Sequence, residues 1–214
     1  MPREPGILAR GPWPADAVRA RWRQDVFEPP ADMAAAADDA IAALQDRGSP
    51  SHDGLAARLA GFREDAGLEL ELQPMRWGLR LVEGDALDSI SVQCVVRDGE
   101  GRWLAGRRAA WVATWAGRWA LGAGGAVEVG EDPVLTLTRE LQEEWGLQPE
   151  RTQIEALLRL PNSLVMLVGS VWVASGAAVV RDHEHDDHAW WPADPATWPP
   201  EADPALQRLA SLLA

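Results

Sequence analysis

The chain has 214 residues, and 47% of them are hydrophobic, which is enough to bury a substantial core and argues against intrinsic disorder. Its net charge of −13 disfavours a nucleic-acid partner, because phosphate binding needs clustered cations. Cys94 is the single cysteine, which excludes an internal disulfide and a multi-cysteine metal site.

The sequence also argues against a membrane protein. No apolar run reaches the roughly 20 residues that a membrane-spanning helix needs. The first residues lack the basic-then-apolar order of a signal peptide. We therefore expect a cytoplasmic location and no membrane partner. All 20 basic side chains are arginine, so no lysine is available as a nucleophile or for a Schiff base.

Residues 1–86 are predicted to form a small α+β extension. Their hydrophobic spacing indicates two helices followed by two strands, at residues 16–27, 31–45, 55–62 and 68–72. Pro29 and Pro30 separate the two helices, and residues 65–67 form the turn of a predicted hairpin between the strands.

Residues 87–214 are predicted to form a separate domain with longer buried strands. Strands are expected at residues 90–96, 103–107, 154–160, 164–173 and 178–181. Helices are expected at residues 133–145 and 204–213.

The helix at residues 133–145 has the clearest boundaries. Asp132 is placed to cap its first turn, Pro133 suits its first position, and Gly146 suits the position just beyond its end. With about 100° of rotation per residue, Glu140, Glu143 and Glu144 share one face of this helix. The helix therefore carries three carboxylates on one side.

Three neighbouring carboxylates repel one another, at roughly 0.2–0.5 kcal/mol for each pair one turn apart. A divalent cation compensates such repulsion, and Mg²⁺ combines carboxylate ligands with phosphate oxygens of a substrate. The fork of Arg139 can orient a neighbouring glutamate in the same way. On this pattern alone, a solvated acidic face with no site is the alternative.

Residues 125–147 resemble the signature of the Nudix hydrolases, G-x5-E-x7-R-E-U-x-E-E-x-G-U, in which U is apolar. Every required position is filled, by Gly125, Glu131, Arg139, Glu140, Leu141, Glu143, Glu144, Gly146 and Leu147. The resemblance implies an α/β/α sandwich with a mixed sheet over residues 87–214. It also implies Mg²⁺-dependent hydrolysis of the pyrophosphate bond of a nucleoside diphosphate linked to another group, with Mn²⁺ able to replace Mg²⁺.

The resemblance also implies roles for individual residues. Glu140, Glu143 and Glu144 correspond to the metal-binding glutamates, and the carbonyl of Gly125 corresponds to a further ligand. Glu140 and Glu144 are candidate catalytic bases as well. Many members of the family have Pro-Gly-Gly just before this segment, whereas residues 121–125 of this chain read Leu-Gly-Ala-Gly-Gly.

A second acidic run, residues 182–188, contains Glu184. In Nudix enzymes a carboxylate beyond the third strand often approaches the metal as an extra ligand or as the general base, and Glu184 matches that position. The residues themselves leave two alternatives open. One is a solvated acidic loop, and the other is a transition-metal site built from the three histidines of the run.

Arg107 and Arg108 are candidate substrate-binding residues. They end a strand that runs toward the active site in this family, and a guanidinium group suits a phosphate clamp. The alternative is a surface pair on an edge strand.

The chain has 12 tryptophans, and a nucleobase needs an aromatic face on which to stack. Trp119, which lies shortly before the glutamate-rich helix, is the candidate for this role. Burial in the core or at an oligomer interface is the alternative for each tryptophan, and the tryptophan content favours a homodimer.

A nucleotide sugar is the favoured substrate, because residues 52–59 and 68–72 loosely resemble the front domain of Nudix enzymes that cleave UDP-glucose-type substrates. A second recognition surface suits a substrate with a group at each end of the diphosphate. ADP-ribose or a dinucleotide is the alternative substrate. A Nudix-fold module that senses a nucleotide without cleaving it is the other class of function, but such modules generally lose glutamates that this chain retains.

Overall fold

The computed structural model describes residues 4–46, 48, 53–112 and 115–213. The first half of the chain contains β1 (Gly6–Pro14), β2 (Val18–Trp22), α1 (Ala31–Asp46), β3 (Leu55–Glu64) and β4 (Leu68–Arg76). The second half contains β5 (Ile90–Arg97), β6 (Trp103–Arg108), β7 (Trp119–Leu121), β8 (Ala123–Ala126), α2 (Pro133–Trp145), β9 (Arg151–Arg159), β10 (Val165–Trp172), β11 (His185–Trp191) and α3 (Pro204–Leu213).

The main sheet is mixed and has the strand order β1-β9-β10-β5-β6-β11, with β7 attached to β6 and β8 attached to β5. The central pair, β10 and β5, is parallel, and β9 and β8 run antiparallel to their partners. Because β8 pairs with β5 in the middle of the sheet, it leads the chain from the sheet centre into the α2 segment.

Helices cover both faces of the main sheet. Side chains alternate between the faces of a strand, so Val92, Cys94 and Val96 of β5 join a core that includes residues of α2. Val95 points the other way, into a core that includes residues of α3. The expected α/β/α sandwich on a mixed sheet is therefore confirmed.

The first 86 residues contribute to two sheets. β1 pairs with β9 at the edge of the main sheet, whereas β2, β4 and β3 form a separate three-stranded sheet in that order. Leu68, Leu70 and Leu72 of β4 belong to the same core as Leu137 of α2. The division between residues 86 and 87 stays a prediction, and both strand pairing and the core cross it.

The helix predicted at residues 16–27 is wrong. Val18–Trp22 instead form β2, which pairs in parallel with β4. The spacing of Val18 and Trp22 fits one face of a helix, but residues 18, 20 and 22 also lie on one side of a strand. Pairing with the buried strand β4 overrides the local helical pattern.

The strand predicted at residues 178–181 is also wrong, because these residues form no strand. The last strand is β11, which begins inside the acidic run 182–188 and continues beyond it. The N–H groups of Val180 and Asp182 bind the carbonyls of Trp145 and Glu144, at 2.9 and 3.0 Å. Those carbonyls are at the C-terminal end of α2 and lack partners within the helix. Residues 178–182 therefore cap a helix rather than extend a sheet.

The other predicted elements are confirmed. The helices at residues 133–145 and 204–213 have the predicted ends, and the helix at 31–45 extends to Asp46. The strands predicted in the β3–β4 hairpin form, and both are longer than predicted. Residue 52, at the start of the run compared with UDP-sugar-cleaving enzymes, lies outside the described residues. Among the described residues, no helix is long and apolar enough to cross a membrane.

Asp88 connects the small sheet to the main sheet. Its Oδ1 atom lies 2.9 Å from Nε of Arg159 on β9, and its Oδ2 atom lies 3.7 Å from Nη2 of Arg58 on β3. Asp88 is 5% exposed. Its backbone carbonyl also accepts a 2.8 Å hydrogen bond from the N–H of Leu59. A single buried carboxylate thus holds two arginines from different sheets.

We predict that Asp88→Asn lowers the free energy of unfolding by roughly 3–5 kcal/mol, because it removes a buried negative charge that lies beside two largely buried guanidinium groups. Asparagine tolerates the left-handed backbone of this residue, whose φ is 58°, so the substitution isolates the effect of charge. Urea unfolding monitored by tryptophan fluorescence measures the change.

Asp203→Asn is the matched control, since Asp203 pairs with the exposed Arg118 at 2.8 Å. It should cost less than about 1 kcal/mol. Equal effects of the two substitutions would show that Asp88 does not link the sheets energetically.

Candidate functional site

The carboxylate face of α2 is fixed by how the helix begins, ends and packs. Oδ1 of Asp132 accepts a 2.9 Å hydrogen bond from the N–H of Val134, and Gly146 ends the helix with a left-handed φ of 65°. Leu137 and Leu141 are fully buried against the sheet. The glutamates on the adjacent face are thereby directed toward β8 and a cavity beside it.

Arg139 binds three glutamates at once. Its Nε atom lies 2.9 Å from Oε1 of Glu131, and its Nη1 atom lies 2.9 Å from Oε1 of Glu140 and 2.8 Å from Oε2 of Glu143. Thr136 donates a further 2.8 Å hydrogen bond to Oε2 of Glu131. Burial opposes ionisation of Glu131, but the hydrogen bonds from Arg139 and Thr136 lower its pKa below the ordinary value. Arg139 and Glu131 therefore form a charged anchor for the other glutamates.

Glycines in and before β8 let this segment approach both α2 and β5 closely. A Cβ at Gly125 would overlap the carboxylate of Glu140, and a Cβ at Gly122, where φ is +58°, would overlap the carbonyl of Cys94. Nε1 of Trp145 donates a 2.9 Å hydrogen bond to the carbonyl of Gly122. Pairing of β8 with β5 holds this segment in place without the proline that many Nudix sequences have.

Two of the glutamates are buried without full compensation of their charge. Burial raises the pKa of Glu140 to about 7, against the attraction of Arg139. Burial and the nearby charge of Glu140 raise the pKa of Glu144 well above its ordinary value, although the N–H of Gly124 donates to Glu144. A cation bound between these two carboxylates would favour their ionised forms, because it supplies the opposite charge that the protein leaves uncompensated.

The residues present fit a hard divalent cation. Glu140, Glu143 and Glu144 offer oxygen donors alone, which is the ligand type that Mg²⁺ prefers. In the part of the chain that the structure describes, no three His, Cys, Asp or Glu side chains converge tightly enough to hold a metal ion by themselves.

The cap on the C-terminal end of α2 brings residues 182–185 to the same site. Oδ1 of Asp182 lies 3.0 Å from Nδ1 of His185, whose Nε2 lies 3.8 Å from Oε2 of Glu144. His185 is 3% exposed, and burial lowers its pKa although the hydrogen bond with Asp182 opposes this. A neutral imidazole therefore packs between Asp182 and Glu144.

Glu184 forms an ion pair with Arg108, with 3.0 Å between Oε2 and Nη1. The backbone carbonyl of Glu184 also accepts a 2.7 Å hydrogen bond from the N–H of Ala109. Arg108 and Glu184 both line the cavity, so a negatively charged ligand would compete with Glu184 for Arg108.

One cavity of about 760 Å³ lies at the centre of this arrangement. One wall of the cavity comes from α2 and β8, and it contains Gly124, Gly125, Arg139, Glu140, Glu143 and Glu144. The rest includes Arg108, Trp111, Asp182 and Glu184, together with Leu55, Trp77 and Arg80 from the first 86 residues.

Comparisons with known proteins identify the family. The family model described as NUDIX domain matches residues 88–212. The chain belongs to the Nudix family. With every position of the Nudix signature filled, it is a pyrophosphohydrolase.

Solved structures are similar to this chain at low sequence identity. The DR0079 protein of Deinococcus radiodurans is 18% identical, with 74% of this chain and 98% of that chain covered and a TM-score of 0.51. A MutT protein from Methanosarcina mazei is 23% identical over 58% of this chain and 91% of its own, with a TM-score of 0.47. The Nudix domain of Shewanella oneidensis NrtR, solved with ADP-ribose, is 19% identical over 58% and 86%, with a TM-score of 0.46. A comparison with curated proteins returns no match.

The structure brings together six of the site residues predicted from the sequence, at one cavity. They are Arg108, Gly125, Glu140, Glu143, Glu144 and Glu184. Their assignment to metal binding, catalysis or substrate binding stays a proposal.

The structure does not bring Arg107 or Trp119 into the cavity. Side chains alternate along β6, so Arg107 points away from Arg108 and pairs with Asp186 at 2.6 Å. Trp119 is opposite Arg107 in the β6–β7 ladder, and its ring packs 5.5 Å from that of Trp191 beside the α3 core. The structure therefore places both residues outside this cavity, and their role in substrate binding stays a prediction.

Sequence reasoning missed Trp77, Arg80 and Asp182 as residues of the Nudix cavity. No motif marks Trp77 or Arg80, which are far from the signature in sequence and reach the site only through the packing of the first 86 residues. Asp182 had a signal, because it begins the acidic run that contains Glu184. Trp111 belongs to the tryptophan-rich segment before the signature, and it is 48% exposed.

We predict that Glu140 makes the cation-free protein less stable as pH rises. Its pKa is about 7 in the folded state and near 4.5 in the unfolded state, so the folded state binds the proton more tightly. The resulting contribution to the free energy of unfolding is on the order of 3 kcal/mol. It is fully present below about pH 4.5 and is lost as the pH rises through about 7. Thermal melting in EDTA at about pH 5 and about pH 8 measures it.

The control for this prediction is Glu140→Gln. This variant lacks the contribution of Glu140 but keeps that of His185, which changes the stability with pH in the opposite direction. The pKa of His185 is lowered, so its contribution to stability increases with pH. The loss of stability toward high pH should be smaller in Glu140→Gln than in the unsubstituted protein, and Mg²⁺ should reduce the loss in the latter. Identical pH dependence of the two proteins would contradict the raised pKa.

Proposed function

We propose that this Nudix hydrolase uses Mg²⁺ to cleave the pyrophosphate bond of a nucleoside diphosphate linked to another group, with a nucleotide sugar as the preferred substrate. Mn²⁺ is the proposed substitute for Mg²⁺. The observation that carries the proposal is the cluster of Glu140, Glu143 and Glu144 at one wall of a cavity of about 760 Å³. A carboxylate wall suits a polyanionic substrate only when a cation stands between them.

Glu140, Glu143 and Glu144 are the proposed side-chain ligands, and the carbonyl of Gly125 is the proposed backbone ligand. When bound, the cation neutralises charge on the diphosphate and lowers the pKa of a water molecule. Arg139 keeps Glu140 and Glu143 in place, because its Nη1 atom contacts both carboxylates. Glu131 in turn keeps Arg139 in place, because its Oε1 atom lies 2.9 Å from Nε of Arg139.

Hydrolysis forms one bond and breaks another. The oxygen of a water molecule attacks one phosphorus of the diphosphate, and the bridging oxygen leaves on the other phosphate with the electron pair of the broken bond. A carboxylate must accept the proton of the attacking water. We assign that step to Glu184, whose side chain is half-exposed at the cavity, with Glu140 and Glu144 as alternatives.

Arg108 is the proposed substrate-binding arginine among the two predicted from the sequence. It lines the cavity, and its planar fork suits phosphate oxygens. In the structure Arg108 binds Glu184 at 3.0 Å. A phosphate that takes over the guanidinium group would free the carboxylate of Glu184 to accept a proton, which couples substrate binding to the presence of a base.

The preference for a nucleotide sugar is supported by the contribution of the first 86 residues to the cavity. Leu55 and Trp77 line it together with the residues around α2. A substrate with a nucleoside and a sugar needs more recognition surface than its diphosphate alone. A cytoplasmic location and a homodimer stay predictions from the sequence.

We predict that Glu143→Gln and Glu144→Gln each lower kcat by at least about a hundredfold, because each removes a charge from a proposed metal ligand. The assay is release of nucleoside monophosphate from a nucleoside diphosphate derivative with Mg²⁺. Circular dichroism should be unchanged, since neither side chain fills the apolar core.

Glu150→Gln is the matched control, as Glu150 follows α2 on the exposed surface and should leave kcat unchanged. Glu184→Gln should lower kcat more than it raises KM, because a base acts chiefly in the transition state. Unchanged kcat in both Glu143→Gln and Glu144→Gln would contradict the metal assignment, whereas an active Glu184→Gln would transfer the role of base to Glu140 or Glu144.

We predict that kcat/KM is higher for UDP-glucose than for ADP-ribose, and higher for ADP-ribose than for an oxidised nucleoside triphosphate. The reason is the additional surface that the first 86 residues present to the group beyond the diphosphate. Rates with Mg²⁺ and with Mn²⁺ should be measured for all three. Preference for the triphosphate would overturn the assignment of a two-headed substrate, and preference for ADP-ribose would select the alternative substrate class.

A further inference from the structure

A short 3-10 helix, Trp77–Leu81, carries Arg80 into the cavity from outside the region that matches the Nudix family. The N–H of Trp77 donates to the carbonyl of Gly54 at 2.8 Å, and the N–H of Gly78 donates to Oδ1 of Asp53 at 2.9 Å. Two hydrogen bonds to the segment before β3 therefore fix where this helix stands.

Arg80 differs from the other arginines of the cavity in its partners. Arg108 binds Glu184 and Arg139 binds three glutamates. Nη2 of Arg80 donates to Oγ of Ser91 at 2.8 Å, and the guanidinium carbon lies 5.7 Å from the ring centroid of Trp77. Within the described parts of the chain, no carboxylate lies within ion-pair distance of Arg80.

The position of Arg80 is not explained by a gain in folding stability. Burial lowers the pKa of Arg80 below the ordinary value of arginine, and the more distant Glu140 offsets this only in part. A guanidinium group nevertheless stays protonated in proteins. A largely desolvated charge with neutral partners destabilises the folded state, so the position is suited to an anion that arrives from outside the protein.

We propose that Arg80 binds phosphate oxygens of the substrate, so that the first 86 residues complete the diphosphate site of the Nudix domain. This inference rests on the proposed function for its substrate class. Arginine presents paired N–H donors to a phosphate group. Arg80 and the carboxylates of α2 line the same cavity. A diphosphate between them would meet guanidinium donors from Arg80 and, on the side of α2, the carboxylates that would hold the cation.

Trp77 has a supporting role in this arrangement. Its ring stands beside the guanidinium group and restricts the orientations of a long side chain, which lowers the entropy lost when phosphate binds. Ser91, at the start of β5, fixes one of the two Nη atoms from the main sheet. Arg80 is thus positioned by residues from both sides of the boundary between residues 86 and 87.

The test is calorimetric binding of two probes in Mg²⁺, α,β-methylene-ADP, which resists hydrolysis, and inorganic pyrophosphate, which has no nucleoside. Arg80→Gln should weaken both by roughly ten- to hundredfold, the usual range for hydrogen bonds to a charged group. Arg63→Gln is the matched control, because Arg63 is 75% exposed and pairs with Glu69 outside the cavity. It should bind both probes as the unsubstituted protein does.

Thermal melting separates binding from a structural role. Removal of an uncompensated buried charge should leave the melting temperature of Arg80→Gln no lower than that of Arg63→Gln, whereas a structural arginine would give a clear decrease. If Arg80→Gln does not fold, Arg80→Lys decides, since a single ammonium group replaces the paired donors. Arg80→Lys should bind pyrophosphate at least about threefold more weakly, as expected for the loss of one hydrogen bond.

Two results would overturn the proposal. The first is unchanged affinity of Arg80→Gln for pyrophosphate; if affinity for α,β-methylene-ADP falls in the same variant, Arg80 contacts the nucleoside instead. The second is unchanged affinity of Arg80→Lys for pyrophosphate where the glutamine variant does not fold. The proposed function fails separately, if the unsubstituted protein hydrolyses no nucleoside diphosphate derivative while it still binds pyrophosphate through Arg80.

Discussion

The contact of Arg139 with three glutamates is the interaction on which the site depends. One guanidinium group holds Glu131, Glu140 and Glu143 within 2.9 Å, in a place where burial opposes ionisation of Glu140. Without Arg139, like charges on adjacent helical turns would repel one another with little solvent to screen them. The arginine does not neutralise the cluster, and the remaining negative charge is what a divalent cation requires. The close approach of β8 to this cluster requires glycine at position 125, because a Cβ there would overlap the carboxylate of Glu140.

The C-terminal end of α2 connects this cluster to the last third of the chain. Its final carbonyls are bound by the N–H groups of Val180 and Asp182, so the cost of unpaired carbonyls is avoided and the following residues are fixed in position. Glu184 then stands opposite Arg108 on β6. The ordinary requirement that a helix end must satisfy its backbone therefore also determines where the proposed base lies.

The first 86 residues are joined to the Nudix domain by both core packing and charge. Leucines of β4 share a core with α2, and Asp88 binds arginines from β3 and β9. These contacts make it possible for Arg80 to stand at a cavity whose chemistry is set by residues about fifty positions later. The proposed site has carboxylates and a cation on one wall and arginine on another, which is an arrangement that matches the charge of a diphosphate.

Local sequence signals are enough to predict α2, its two ends and its carboxylate face, because capping by Asp132 and termination at Gly146 involve only neighbouring residues. The sequence also determined the family, since the spacing of the signature is local. The strand at residues 18–22 depends instead on a tertiary contact, because β4 supplies its hydrogen bonds. Only the tertiary structure separated Arg108 from Arg107 and brought Arg80 to the cavity. These outcomes depend on which strand faces which layer and on partners distant in the chain, and no local pattern of residues encodes them.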